Sequence, residues 1–238
     1  MIKYYTMEDI LKTQNANCEQ TDSSEAPFNK GVDCICTTKR GIARHQKLLE
    51  VATAAFLKNG YDGASVNEIV KEAGGSLGTL YRLFGNKLGL FEAVLKIKTS
   101  ELFDDFESED VWTDDIRTSL LKFGRRLQSV AHKPDGLSLY KIVVAENSID
   151  KQEIQQIFYT HGPQRANRLL SSYLKKQVNC NKMRIQNCDI AANQLLEMIK
   201  APLMKCLLGI ETTQEELDTA LHQGVDIFLR GTLVNRED

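Results

Sequence analysis

The sequence predicts an all-α protein, with a three-helix domain containing a helix-turn-helix near the N-terminus and a larger helical domain after it. Three observations carry that expectation. Beyond residue 40, apolar residues recur at three- and four-residue spacing, the period of one helix face. Strict apolar–polar alternation is absent and β-branched runs are short, so strands find little support. Glycines and capping residues stand where the apolar stripes begin and end. With 42% hydrophobic residues in a chain of 238, a core can be buried, which excludes a collagen-like or wholly disordered chain.

The first helix rests on Leu48, Val51, Ala52, Ala55 and Phe56, one apolar stripe that stops at Asn59-Gly60. Ser65-Val66-Asn67-Glu68 reads as a capping box opening a short helix over about 66–72. Gly74-Gly75 ends it in a tight turn. Ser76 caps a second short helix from Leu77 to Leu83, broken at Gly85. Asn86 then caps a longer helix carrying Leu88, Leu90, Phe91, Val94, Leu95 and Ile97. The short pair has the dimensions of a helix-turn-helix, whose second helix enters a major groove. Further helices are expected near 114–131, 136–149, 150–177, 186–208 and 213–233, with Pro134 a break and Pro163 and Pro202 possible kinks. The domain reading is a flexible extension over 1–38, a helix-turn-helix domain over 39–98 and a second helical domain over 99–238.

Charge separates these parts. Residues 1–36 hold three bases and six acids, residues 37–98 ten bases and five acids, and residues 99–238 hold 17 bases and 21 acids, for net charges of −3, +5 and −4. A basic segment between acidic ones suggests that residues 37–98 meet a polyanion. The run Glu101, Asp104, Asp105, Glu107, Glu109, Asp110, Asp114 and Asp115 contains no base and should point away from DNA. No uncharged apolar run reaches the ~18 residues of a membrane span, and no secretory signal is visible, so the expected compartment is the cytoplasm. Cys18, Cys34, Cys36, Cys180, Cys188 and Cys206 then read as free thiols. Cys34 and Cys36 are too close for a strain-free disulfide, and no finger-like Cys/His spacing follows them.

Leu49–Tyr61, with Ala52, Ala55, Phe56 and Gly60, resembles the first helix of TetR/AcrR-type transcriptional regulators. Ala64–Gly74 is similar to their second helix and turn, and Ser76–Lys87 to their recognition helix and the start of the fourth. Val143-Val144-Ala145-Glu146 and Phe158–Pro163 look like the AefR-like regulators within that family. The resemblance implies an all-helical homodimer, a small-molecule pocket in the C-terminal domain and repression of nearby genes, often those of efflux pumps. Gly75 stands where the family commonly has Val, and Leu83 where it often has His.

The residues expected at the DNA are Arg44, Ser65, Ser76, Leu77, Gly78, Thr79, Tyr81, Arg82 and Lys87. Ser65 sits at a helix N-terminus, which favours phosphate. Thr79 can address a base edge or a thymine methyl, and Arg82 guanine or phosphate. Gly78 lets the backbone approach closely. Tyr81 and Lys87 suit phosphate, and Lys39, Arg40 and Arg44 could act as a basic arm. Leu80 and Phe84 read as core.

Residues 99–238 show no catalytic constellation, and none of His45, His132, His161 and His222 has metal- or triad-like company. The reading is therefore not an enzyme and carries no cofactor or metal. Trp112, Phe123, Tyr140 and Phe158 are candidate ligand contacts, and Ala191, Leu195, Leu221, Val225 and Phe228 candidate dimer contacts on the last two long helices. The function read from the sequence is a repressor released from a palindromic operator by a small hydrophobic or amphipathic effector. A thiol- or metal-responsive regulator, and last a helical enzyme, are the alternatives.

Overall fold

A computed structural model describes residues 39–107 and 111–234. The readings of the 1–38 extension, with Cys18, Cys34 and Cys36, lie outside the described residues. Regular structure among the described residues is helical, apart from an isolated bridge between Met183 and Leu233.

Helix α1 spans Lys39–Gly63 and is broken at Gly60, whose φ is 73°. Helix α2 (Val66–Ala73) opens on Ser65, whose hydroxyl accepts from the Glu68 N–H at 3.3 Å, and closes on Gly74 in the left-handed region. Helix α3 (Leu77–Phe84) is capped by Ser76, which accepts from the Thr79 N–H at 3.2 Å. Helix α4 (Lys87–Glu107) begins where Asn86 accepts from the Gly89 N–H at 2.8 Å. A Cβ on Gly89 would lie 2.0 Å from the Phe84 carbonyl oxygen, so a bare backbone is what lets α4 meet the end of α3.

Helix α5 is Ile116–Ala131, capped by Asp115. Helix α6 is Pro134–Ala145, with proline at its first position, where no N–H is needed. It ends earlier than the apolar pattern predicts, because Glu146 turns its carboxylate onto the N–H groups of Asn147 and Ser148 at 3.0 and 2.8 Å. The expected single helix over 150–177 is α7 (Lys151–Tyr159), a π turn (Thr160–Gln164) and α8 (Arg165–Asn179). Pro163, which lacks an N–H and crowds the preceding turn, sits inside that π turn. The stretch expected over 186–208 divides at Pro202 into α9 (Cys188–Ile199) and α10 (Leu203–Leu207). Helix α11 (Gln214–Thr232) opens on a complete Thr213–Glu216 capping box.

Two hydrophobic cores result. One holds Leu48, Phe56, Ile69, Leu80, Phe91 and Val94 together with Leu139, Val143 and Ile154. The other holds Phe103, Phe106, Leu120, Phe123, Leu170, Tyr173, Leu195, Leu221 and Phe228. The border between them does not fall at residue 98. Helix α4 supplies both, as does the α7–π–α8 segment, with Ile154 before the π turn and Leu170 after it. Helices α6 and α7 therefore complete the core of the helix-turn-helix half, although the sequence reading assigned them to the second domain.

The dimer expectation needs correction. Ala191, Leu195, Leu221, Val225 and Phe228 are all buried within one protomer, where α9 packs on α11. A Cβ on Gly224 would reach the Met198 Cβ at 3.1 Å, so the small residues permit this close crossing inside the chain. An apolar stripe has the same periodicity whether it meets its own chain or a second copy.

Candidate nucleic-acid interface

The aromatic cage of the first core fixes the reading head. Phe56 and Phe91 meet edge to face at 5.1 Å, and Tyr61 packs edge-on to Phe91 at 5.4 Å. Leu80 is fully buried against this core and anchors the inner side of α3. Phe84 is only half-buried, stacked on the His45 ring at 5.1 Å. With the inner side fixed, Ser76, Leu77, Gly78, Tyr81 and Arg82 face outward. Tyr81 is 48% exposed, unusual for an aromatic ring with a core nearby. Helix α3 carries no acid.

Thr79 is half-buried, and its hydroxyl shares a hydrogen bond with Ser76 Oγ at 3.0 Å. Ser65 is half-buried at its cap. Gly78 is exposed, and a Cβ there would meet only Ser76 Oγ, at 4.0 Å. Internal packing thus gives no reason for glycine in this helix, where it costs ~1 kcal/mol relative to alanine. Arg40 and Arg44 are exposed, four residues apart on one side of α1. The described part of the acidic run flanks α4's far end and the start of α5.

Lys87 differs from the phosphate-facing lysine the sequence suggests. Its ammonium donates to the Asp62 carbonyl at 3.0 Å and lies 4.8 Å from the centroid of the Tyr61 ring. Burial pulls its pKa below the ordinary lysine value, against the opposing fields of Asp62, Glu146 and Asp150. Beneath it, Tyr61 is 2% exposed and its hydroxyl donates to Asp150 Oδ2 at 3.0 Å. Burial raises the phenol well above its usual pKa, and the Asp150 hydrogen bond and charge add to that. The end of α1, the start of α4 and the loop between α6 and α7 are thereby tied together. Tyr61 and Asp150 are 89 residues apart, so no local pattern could have revealed the pair. A second tie missed from the sequence joins Glu92 on α4 to His161 in the π turn at 3.0 Å.

The four candidate ligand residues do not form one site. Trp112 and Phe123 stack in the second core at 5.6 Å, while Tyr140 and Phe158 meet edge to face at 5.6 Å, with Phe158 on the first core. Phe123 is fully buried core. Trp112 lines a cavity of about 440 Å³, together with residues of α4, α8 and the loop before α5. No group of three metal-binding side chains occurs among the described residues, and no described helix is long and apolar enough to cross a membrane.

An exposed, acid-free second helix held by a short capped partner defines a helix-turn-helix DNA-binding protein. Residues 48–94 match the model of the bacterial regulatory proteins of the tetR family, and residues 118–231 that of the AefR-like transcriptional repressor C-terminal domain. The HTH-type transcriptional regulator YvkB of Bacillus subtilis is 30% identical over 189 residues, 79% of this chain and 96% of its own. The HTH-type transcriptional regulator QacR of Staphylococcus aureus is 38% identical over 65 residues, covering 27% of this chain and 35% of QacR. A TetR-family regulator structure from Mesorhizobium loti superposes with a TM-score of 0.71 at 26% identity, covering 83% of this chain and all of that one. The chain belongs to the TetR family of DNA-binding transcriptional regulators.

Proposed function

We propose that the protein represses transcription from a palindromic operator and leaves it when a small hydrophobic or amphipathic effector binds the second half, with an efflux operon as the first target to examine. The observation that carries this reading is the outward face of α3: Leu77, Gly78, Tyr81 and Arg82 are exposed, with a glycine that packing does not require. Gly78 lets the helix sit deep in the groove, Tyr81 and Ser65 hold phosphates, and Arg82 and Thr79 meet base edges. In this reading the Lys87 ammonium exchanges its Asp62 partner for phosphate on the operator. Two copies read the two half-sites, since one reading head neutralises few phosphates.

The dimer contact moves to the outward faces of α9 and α11, where Ile190 and Ile227 are exposed. Around Ile227 the α11 face carries Asp218, Thr219, Gln223 and Arg230. Helix α4 couples the halves, because it begins at α3 and ends in the second core. An effector shifts the DNA-bound state only by its differential affinity for the two conformations.

The test is a gel shift and salt titration on the DNA upstream of its own gene, with no metal or reductant added. The expected result is a shifted complex whose log affinity falls steeply with log salt. Tyr81→Ala weakens it across sequences, and Thr79→Ala changes the ranking of operator variants more than the overall affinity. Release by oxidant or metal, with no apolar compound active, would favour a thiol- or metal-responsive regulator instead.

A further inference from the structure

The cavity beside α8 holds hydrogen-bonding capacity that the protein leaves unused. It is lined by Phe106, Trp112 and Tyr173 as an aromatic wall, and its size falls within the range of small-molecule sites. Trp112 and Tyr173 are stacked at 4.3 Å, and the indole N–H is fixed on the Phe106 carbonyl at 3.1 Å. Tyr173 is 3% exposed, yet its hydroxyl has no hydrogen-bond partner. The neighbouring Ser119 hydroxyl donates to the Thr113 carbonyl at 3.1 Å and accepts from the Thr113 N–H at 2.9 Å. One turn further along α8, Gln177 also lines the cavity, and its Oε1 is buried without a partner. A buried polar group left unpaired is costly, so two of them beside one cavity ask for an occupant.

Their chemistry selects it. The Tyr173 hydroxyl can donate, whereas Gln177 Oε1 can only accept. An occupant that satisfies both the Tyr173 O–H and Gln177 Oε1 accepts from the first and donates to the second. A phenolic hydroxyl does both, and its ring suits the aromatic wall. A carboxylate offers Gln177 no donor, and a quaternary ammonium offers neither group anything. The ionic groups on the lining carry no net charge, Glu107 and Asp114 standing against Arg168 and Lys176, so their sum favours neither an anion nor a cation. We propose that this cavity is the effector site and that it takes neutral, planar phenols, with Tyr173 and Gln177 as the residues that recognise the hydroxyl. The effector role rests on the ligand-responsive reading above; the binding site itself does not.

Calorimetric titration of the full chain tests the site. β-Naphthol is expected to bind saturably, and β-naphthyl methyl ether, which cannot donate, about tenfold more weakly, with β-naphthoate weaker again. Tyr173→Phe and Gln177→Leu each weaken β-naphthol about tenfold. Tyr173→Phe melts no lower than wild type, because it removes an unpaired hydroxyl from the interior. Equal binding of the naphthol and its ether, unchanged affinity in both variants, or no β-naphthol binding overturns the inference. A parallel gel shift on the upstream DNA separates the two claims. Release by benzalkonium that persists in both variants overturns this cavity as the effector site while the ligand-responsive reading stands. Naphthol binding as described, with no release by any compound, overturns the ligand-responsive reading and leaves the phenol site in place.

Discussion

The two cores of the molecule share helix α4 and the same residue types, yet they differ in how their buried phenols are satisfied. In the first, Phe56, Tyr61 and Phe91 interlock, and the one buried phenol has a carboxylate partner in Asp150. In the second, Phe106, Trp112, Phe123 and Tyr173 form an aromatic cluster of similar size, but its buried phenol has no partner and a cavity lies beside it. The contrast fits a division of labour. A reading head must hold α3 in one orientation, and an interlocked aromatic core whose phenol is paired does so. Under the proposed ligand-responsive function, the second half needs a state that improves when something binds, and unpaired groups beside a space supply it.

The largest expected effect breaks the first core directly. Phe91→Ala removes a fully buried ring that touches both Phe56 and Tyr61, and should cost about 3–5 kcal/mol in denaturant unfolding. A loss under ~1 kcal/mol would mean the cage is not the rigid element described. Next comes the buried polar tie of the first core. Tyr61→Phe should cost about 1.5–3 kcal/mol, as expected for a hydrogen bond to a charged acceptor. A double-mutant cycle with Asp150→Asn reads the coupling, and additive effects would show that the pair contributes no such bond.

Gly78→Ala sharpens the comparison, because it should separate stability from binding. The open space around the site predicts a gain of up to ~1 kcal/mol in stability, together with weaker operator binding. Unchanged DNA affinity would leave the glycine without a role at the groove. Ile227→Glu should lower the dimer fraction in analytical ultracentrifugation while the protomer stays folded. A dimer of unchanged stability would place the interface elsewhere.

The smallest effect is a pH dependence shared by both halves. Burial lowers the pKa of His45, beside Phe84, and of His132, at the end of α5, where a backbone hydrogen bond at Gln128 opposes it. Each is then more readily protonated in the unfolded chain, whose value is near 6.5. Their stabilising contribution is full above that pH and is lost as pH falls through 6.5 toward the folded values. His45→Gln should flatten its share of that slope in unfolding curves recorded between neutral and mildly acidic pH. A slope that His45→Gln leaves unaltered would assign the effect to other groups.

Much of the fold was legible in the residues. Ser65, Gly74, Ser76 and Asn86 act on backbone groups within three residues of themselves, so their hydrogen bonds could be read in order along the chain. The exposure of Tyr81 and Arg82 followed from Leu80, since residues next to a buried position on a helix turn away from it. The π turn at Pro163 was legible only as a possible kink, because its widening also depends on how α7 and α8 pack on different cores. Lys87 was read as a phosphate contact, because nothing near it in sequence announces Asp62, Glu146 and Asp150 as its surroundings.

The sequence by itself determined where the helices start and stop and which side of α3 is polar. Those features depend on capping, glycine backbone freedom and the helical period, all settled over a few residues. Tertiary structure alone decided which apolar stripe meets which. It turned Leu195, Leu221 and Val225 into protomer core, divided Trp112 from Tyr140 and Phe158, and drew Asp150 beneath Tyr61. The physical reason is that apolar burial is non-directional: a stripe specifies that it must be covered, and only the packing of the whole chain chooses the cover.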